Sequence, residues 1–502
     1  VVLSVTVQKI RNRLRRSSPP PAPRNAWLGR FVRTLGLLLA LALSAFAGRW
    51  LFLWLRRVPL QPTLYRTPPL LDADITPQMR RIIVSDLHFG AADRLDDFTS
   101  DAEFCAFIDH YVISTEPTEL ILAGDTFELL QVQCPDVDDD EWSNYAAGQR
   151  IAVVVAAHPE VFAALRRFLA RPDNQLTILI GNHDFELHYP AAQAQVAAAL
   201  ALAVDDPRLR FALFYHGGGI YLVHGNQYDG WNRFVHFEGI TEPFEVVRGT
   251  QLVKEVINEL ENDPLAIAPL IDNVKPTSAF LWYLLALPRL RDRATRSFTI
   301  RGISGFIQIV IWPTPHHMPI TGEGPGGLLS APPLLWIWAL IARFRRGRVG
   351  RHQEVSRQLG EVAGTVNPPD PVIEQVRSEA VRQVDREVRA FNDRYAREML
   401  SLARSPEHAA DTLFVCGHTH MARVVPLGNA QTYINTGSWT EIVFDVATMR
   451  RQDQRCPFLE IHYPEGERPV GQLLVWTTPD EPPQHWQAGP TPRRRRTRRD
   501  RV

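Results

Sequence analysis

The sequence predicts a layered α/β sandwich, and three observations carry that expectation. Short apolar, β-branched runs recur from Arg80 onward: Ile82–Val84, Leu120–Ala123, Leu176–Ile180, Ile220–Val223 and Leu413–Cys416. Their length and branching suit buried strands. Polar residues and glycine follow them, as expected where a strand gives way to a loop. Helix-like stretches at Asp101–Ile113, Glu141–Ala170 and Ala191–Val204 fall between several of the runs. Strands alternating with helices point to α/β layering. Further strands are expected at Ala422–Pro426, Gln431–Asn435, Phe458–Tyr463 and Gln472–Trp476.

Composition allows a sizeable core. The chain has 502 residues, 45% of them hydrophobic, which is enough for one large domain or several smaller ones. Formal net charge is zero, so bulk charge gives no argument for a nucleic-acid partner. The charge is uneven, with a basic tail at Arg493–Arg496, Arg498, Arg499 and Arg501 and a basic amino-terminal stretch. Cys105, Cys134, Cys416 and Cys456 lie far apart with no CxxC pair. Neither a zinc knuckle nor a disulfide framework is indicated, and the usage fits a reducing compartment.

The flanks and the middle read differently from the strand-rich parts. Residues 1–34 are basic, with a Pro-rich stretch at Pro19–Pro23, and read as a disordered arm. Residues 35–57 form a hydrophobic segment, apolar from Leu35 to Leu55 apart mainly from Ser44 and Arg49. Its length is that of a bilayer span, and Trp50, Trp54, Arg56 and Arg57 resemble an interfacial belt. The expectation is a membrane-associated protein with a single-pass anchor. An interfacial helix interrupted by Arg49 and a signal peptide cleaved near Ala45-Phe46-Ala47 are the alternatives. The side of the membrane stays open, because the leading basic residues and the Arg-rich tail argue in opposite directions. Residues 241–409 break the strand rhythm with apolar clusters at Ala279–Leu287, Ile303–Trp312 and Leu328–Ile341, then a charged helix-like stretch at Pro371–Ala403. They read either as an inserted helical subdomain or as an apolar cap for lipid or an acyl chain. Residues 478–502 are a Pro- and Arg-rich tail.

Metal-ligand chemistry stands at the strand ends. Ser85-Asp86-Leu87-His88 follows the first run, and Gly124-Asp125 the second. Gly181-Asn182-His183-Asp184 follows the third, His224-Gly225-Asn226 the fourth, and Gly417-His418-Thr419-His420 the last. Ligand sites in α/β sheets form beyond the carboxyl ends of strands. On an extended segment, Asp-x-His and His-x-His put both side chains on one side. Mixed oxygen and nitrogen donors suit Mn(II), Fe(II), Zn(II) or Co(II). Any one of these motifs could be a turn or a satisfied polar residue; all of them together, in this order, are a candidate metal site.

The order DLH, GD, GNHD, HGN, GHTH resembles the calcineurin-like metallophosphoesterase superfamily, over roughly residues 80–240 and 410–445, and the domain is expected to span 80–240 and 410–477. The resemblance implies a four-layered α/β/β/α sandwich and two divalent metal ions, with Mn(II) the first expectation. It gives Asp86, His88 and His420 to one metal, Asn182, His224 and His418 to the other, and Asp125 to both. His183 matches the catalytic histidine and Asp184 its orienting partner. Two cations roughly 3.5–4 Å apart can clamp a phosphoryl group and activate a bridging water as nucleophile. His183 could then protonate the leaving oxygen. The expected activity is hydrolysis of a phosphoester or pyrophosphate bond.

Two fragments bear on the substrate. Gly124-Asp125-Thr126-Phe127-Glu128 and Ile434-Asn435-Thr436-Gly437-Ser438-Trp439 are similar to segments of the UDP-2,3-diacylglucosamine pyrophosphohydrolase branch. That implies a phosphorylated small-molecule or lipid-linked substrate, with a membrane as partner. The chain departs from the branch at His183, where Arg is usual, at His224-Gly225-Asn226, and in its larger insert. Trp231, Asn232 and Arg233 are candidates to line the pocket. A phosphoprotein phosphatase or nuclease of the same superfamily is one alternative, although no basic groove for a nucleic acid is evident. A non-catalytic membrane scaffold is another.

Overall fold

The structure, a computed structural model, describes residues 59–258 and 394–487 apart from 429, 441–442, 446–449, 452–455 and 466, together with Ser44 and Gly48. The basic arm, the rest of segment 35–57, residues 259–393 of the insert and the tail beyond 487 lie outside the described residues.

Strands β1 (Gln61–Arg66) and β2 (Leu70–Leu71) lead into β3 (Arg80–Val84), whose five residues are all buried. Helix α1 (Asp101–Ile113) carries the chain to β4 (Thr118–Ala123), also buried throughout. Helices α2 (Asn144–Ala157) and α3 (Pro159–Leu169) precede β5 (Gln175–Leu179). The single helical stretch expected over Glu141–Ala170 is thus two helices. Pro159 cannot donate to a continuing helix and instead opens α3, with His158 at the corner. Helix α4 (Pro190–Ala199) leads to β6 (Leu209–Ala212), which is followed by the hairpin β7 (Tyr215–Gly217) and β8 (Ile220–Leu222). Strand β9 (Gly239–Glu242) and the short α5 (Arg248–Leu252) come next. Beyond the undescribed segment lie a helix over 394–403, then β10 (Leu413–Cys416), β11 (Arg423–Gly428) and β12 (Gln431–Asn435). The remaining strands are β13 (Val443–Asp445), β14 (Arg450–Arg451), β15 (Pro457–His462), β16 (Val470–Val475) and β17 (Gln484–His485).

The fold is mixed α/β, built on two large sheets. One has the order β17-β16-β15-β3-β4-β5-β6, the other β11-β12-β10-β8-β7-β2. Strands β3 to β6 run parallel, so their carboxyl ends share one edge. In the second sheet β8 and β10 are parallel, although the undescribed residues 259–393 intervene in the chain. That pairing places the ends of β8 and β10 side by side.

Alternation along the strands sets the cores. Ile83, Ile121 and Leu179 of the first sheet share an apolar cluster with Leu222, Val415 and Ile434 of the second. The opposite faces of β3 to β5, through Val84, Leu122 and Ile178, pack against α1 to α4. Tyr395, Met399 and Ala403 pack with Phe414 and Tyr433 of the second sheet. These three residues fall within the span read as insert, yet they share a core with β10 and β12.

The expected membrane localisation through a single-pass anchor is not upheld. Among the described residues, no helix is long and apolar enough to cross a membrane. The expectation rested on length, and length discounts Ser44, Gly48 and Arg49, which fall close together in the run. Glycine weakens a helix, and a buried arginine is costly to insert.

Candidate metal centre

The five loops named from the sequence converge at the carboxyl ends of β3, β4, β5, β8 and β10. Asp86, His88 and His420 form one group, and Asp125, His224 and His418 another, each with donor atoms within 4.8 Å of one another. In the first, His88 Nε2 lies 3.1 Å from His420 Nε2, and His420 Nε2 lies 3.3 Å from Asp86 Oδ1. In the second, His224 Nε2 lies 3.0 Å from Asp125 Oδ2.

The backbone reaches this arrangement differently from the extended geometry that the spacing suggests. Asp86, His88, Asp125, His418 and His420 all have φ between 48° and 66°. They are five of the ten non-glycine residues with positive φ among the described residues. Such left-handed conformations are uncommon outside glycine and cluster where function demands them. The loops also approach too closely for a side chain at Gly124, where a Cβ would meet His224, at Gly181 and at Gly417. A Cβ at Gly181 would collide with the Asp125 carboxylate, and one at Gly417 with that of Asp86.

Hydrogen bonds fix which ring nitrogen points inward. His88 Nδ1 donates to Glu128 Oε2 at 2.6 Å, which leaves Nε2 with its lone pair toward His420. His224 Nδ1 donates to the Ala123 carbonyl at 3.0 Å, which leaves Nε2 toward Asp125. His418 Nε2 lies 3.2 Å from Asp229 Oδ2, so its Nδ1 is the candidate donor to a metal. Asp229 is in turn held by the Trp231 backbone N–H at 3.0 Å and by Asn232 Nδ2 at 2.7 Å. Trp231 and Asn232, expected at the pocket wall, thus brace a group behind a candidate ligand.

The site fits cations. Asp86 and Asp125 are both buried, and their ion partners among the described residues are histidines rather than Lys or Arg. Burial raises the Asp86 carboxyl, and the neighbouring Asp125 charge adds to it. Burial opposes ionisation of Asp125 too, but His224 and His183 outweigh it and hold that carboxyl well below its usual range. Burial would lower His224, yet Asp125 beside it raises the imidazole to about 9. The pocket therefore favours positive charge. Asn182 Oδ1 is buried and has no hydrogen-bond partner among the described residues. Its neighbours touch Asp125 on both sides, Gly181 by close approach and His183 through a backbone N–H at 2.8 Å from Oδ1. A buried amide oxygen without a donor is costly unless a cation takes its place.

Sequence reasoning assigned one role to the wrong carboxylate. Asp184 Oδ1 accepts the Gly181 N–H at 2.6 Å, and Oδ2 accepts those of Thr126 at 2.7 Å and Phe127 at 3.3 Å. Its carboxylate organises the turns after β4 and β5. The group at His183 Nδ1 is Glu128, at 2.8 Å from Oε1 and 2.6 Å from Oε2. Burial would raise Glu128, but His183 and His88 hold it down at about 2, so it is ionised between the two imidazoles. Glu128 was present in the GDTFE fragment but was read there only as a substrate signature.

The second fragment also supports the centre. Ser438 Oγ donates to the Asp86 carbonyl at 2.8 Å, and Asn435 Nδ2 to that of Gly417 at 2.6 Å. Both fragments therefore hold the loops of candidate ligands. A cavity of about 400 Å³ lies elsewhere, lined by Asp93, Asp96, Phe98, Asp101, His158 and Glu160 among others, and contains none of the candidate ligands.

Residues 79–269 match the family described as calcineurin-like phosphoesterase. The chain carries a metallophosphoesterase domain. The matched span ends before His418 and His420, and the parallel pairing of β10 with β8 is what brings them to the metallophosphoesterase centre. No curated protein matches the chain. The domain is that of a metal-dependent phosphoester hydrolase, of a family that typically binds two divalent cations.

Proposed function

We propose that this metallophosphoesterase uses a dinuclear centre to hydrolyse a phosphoester or pyrophosphate bond in a phosphorylated small molecule, nucleotide- or lipid-linked substrates included. The observation that carries the dinuclear reading is the pair of adjacent donor groups, with the buried Asn182 Oδ1 left without a donor. Asp86, His88 and His420 would hold one cation, and Asn182, His224 and His418 the other. Asp125 would serve both. Mixed N and O donors suit Mn(II), Fe(II), Zn(II) or Co(II), and Mn(II) stands first only through the superfamily resemblance. When bound, such cations supply charge neutralisation at the phosphoryl group and activation of the attacking water.

The chain's own groups divide the remaining work. Glu128 holds His183 by Nδ1, so proton exchange with a substrate falls to Nε2. An ionised Glu128 favours the imidazolium form, the state that can give a proton to a leaving oxygen. The same carboxylate fixes His88, so acid and ligand share one support. Three apolar clusters, between the sheets and on the outer face of each, support the four-layered α/β/β/α arrangement.

The substrate reading rests on less, because the two branch-like fragments are accounted for by their contacts in the centre. A metal-supplemented screen of phosphomonoesters, phosphodiesters and pyrophosphates, with lipid-linked members, tests it. Hydrolysis restored by Mn(II) and lost in Asn182→Ala is the expected result. Equal turnover by the variant would remove Asn182 from the centre, and no turnover of any pyrophosphate or diester would restrict the enzyme to monoesters.

A further inference from the structure

We propose that His216, His408 and Asp411 form a separate divalent-cation site of the Zn(II) class, at the opposite end of β10 from the catalytic loops. His216 lies on β7, His408 in a single 3-10 turn at Pro406–His408, and Asp411 just before β10. His216 Nε2 lies 2.9 Å and His408 Nδ1 2.7 Å from the same oxygen, Asp411 Oδ2. The three donor atoms fall within 4.8 Å of one another. Two imidazoles and one carboxylate, converging from separate segments, are a recurring protein donor set of tetrahedral zinc, with water as fourth ligand.

The surroundings meet the other requirements of such a site. The ligands are held before any ion arrives. The Asp411 N–H donates to the His408 carbonyl at 3.2 Å, and Gln431 Nε2 to the Asp411 carbonyl at 3.0 Å. Thr412 ties the next residue to Gly219 at 2.9 Å, across from β7. The Tyr221 ring walls the site, with its centroid 5.6 Å from His216 and 4.6 Å from His408. His408 and Asp411 are buried, whereas the His216 side chain is 27% exposed, which leaves an approach for the ion and room for a water. A bound cation would staple β7 to the turn that launches β10. That strand leads into the loop that carries His418 and His420.

This site does not depend on the dinuclear reading, and the test keeps them apart. Full-length protein carrying Asp125→Asn is stripped with chelator, reloaded with Zn(II), desalted and assayed for metal by mass spectrometry. Adding His216→Gln should remove about one equivalent per chain from that background. In the native background, His216→Gln should leave metal-dependent phosphoesterase activity within about twofold. Co(II) loading of the Asp125→Asn protein should give a tetrahedral visible absorption that His216→Gln abolishes. Because His408 is buried, His408→Gln serves as a second variant, to be scored only if its circular dichroism is unchanged. Equal Zn(II) content with and without His216 would overturn the proposal and leave the cluster a hydrogen-bonded contact between two histidines and an aspartate.

Discussion

Strands β3 and β4 bury charge at both of their ends, and the two ends do it in opposite ways. At the amino ends, Arg81 and Glu119 face each other in register, both fully buried. Arg81 Nε reaches Glu119 Oε2 at 3.1 Å and Tyr215 OH at 2.5 Å, and its other nitrogens donate to the Met79 and Thr76 carbonyls at 2.9 and 2.6 Å. Glu119 accepts further bonds from Thr177, at 2.7 Å, and from Arg210. At the carboxyl ends, Asp86 and Asp125 are as deeply buried but face histidines, a left-handed backbone and the unpartnered Asn182 amide oxygen. A buried charge whose partners are all protein is a piece of architecture. A buried surplus of donors is complete only with a cation. Burial alone therefore does not mark a functional site; the balance of partners does.

The largest test of this contrast is Asp125→Asn. It should reduce metal-dependent hydrolysis of bis-p-nitrophenyl phosphate by more than about 10³-fold, beyond the roughly 10–100-fold typical of a supporting group. Denaturant midpoints measured with chelator present should fall only modestly, because Asn keeps an oxygen for the His183 N–H and loses only the charge that faces His224. Arg81→Met should do the reverse. It leaves Glu119 short of its main cation, at a cost of about 3 kcal/mol of unfolding free energy, and turnover per folded molecule should stay within about twofold. An Arg81→Met enzyme that loses turnover in proportion to metal content would erase the distinction between the two ends.

How much of this was legible in the sequence follows from the same distinction. The candidate ligands were visible because each is a short motif at the end of a short apolar run, and both features are local. Leu413–Cys416 and Asp101–Ile113 were read with the bounds that the structure shows. Strands β6 and β7 were not seen, since Leu209–Ala212 and Tyr215–Gly217 are short and carry Arg and His among their apolar residues. The support groups were harder still. Glu128, Asp229 and Ser438 act across loops distant in the chain, and no spacing rule connects them to His183, His418 or Asp86. Asp184 shows the cost of proximity reasoning: it adjoins His183 in sequence, but its carboxylate oxygens accept backbone N–H groups.

Glu128 offers a smaller and sharper test. Glu128→Gln keeps the shape of the side chain but removes the charge that favours the His183 imidazolium. We expect kcat to fall about 10–100-fold, as for other groups behind a metal ligand or catalytic histidine. If Glu128 serves His183 chiefly as an acid, the loss should shrink with a substrate whose leaving group needs no proton, such as p-nitrophenolate. If it serves His88 chiefly as a ligand, the loss should be equal for good and poor leaving groups and should be relieved by excess Mn(II). The leaving-group dependence of kcat, measured at low and high Mn(II), separates the two.

His158 gives the smallest effect and tests the architectural kind of site by pH. It sits at the corner between α2 and α3, with Nδ1 2.7 Å from Asp101 Oδ1 and Nε2 3.0 Å from Asp96 Oδ2. Burial would lower its pKa, but the two carboxylates outweigh that and raise it to about 9, from an ordinary value of 6.5. A pKa raised in the folded state means that protonation stabilises the fold. The contribution is complete below about pH 6.5, declines above it, and is gone once the pH has risen through about 9. Asp101 is partly exposed, with 40% of its side chain accessible, so its share is screened. The expected loss is roughly 1–2 kcal/mol across that window. Unfolding free energies from pH 6 to 9.5 should fall by that amount in the native chain and stay flat over the same histidine-dependent part in His158→Gln. A parallel decline in both would move the titration elsewhere and leave His158 a neutral corner residue. The partner set of His158 is complete only with its proton in place, which puts it between the Arg81 network and the metal centre.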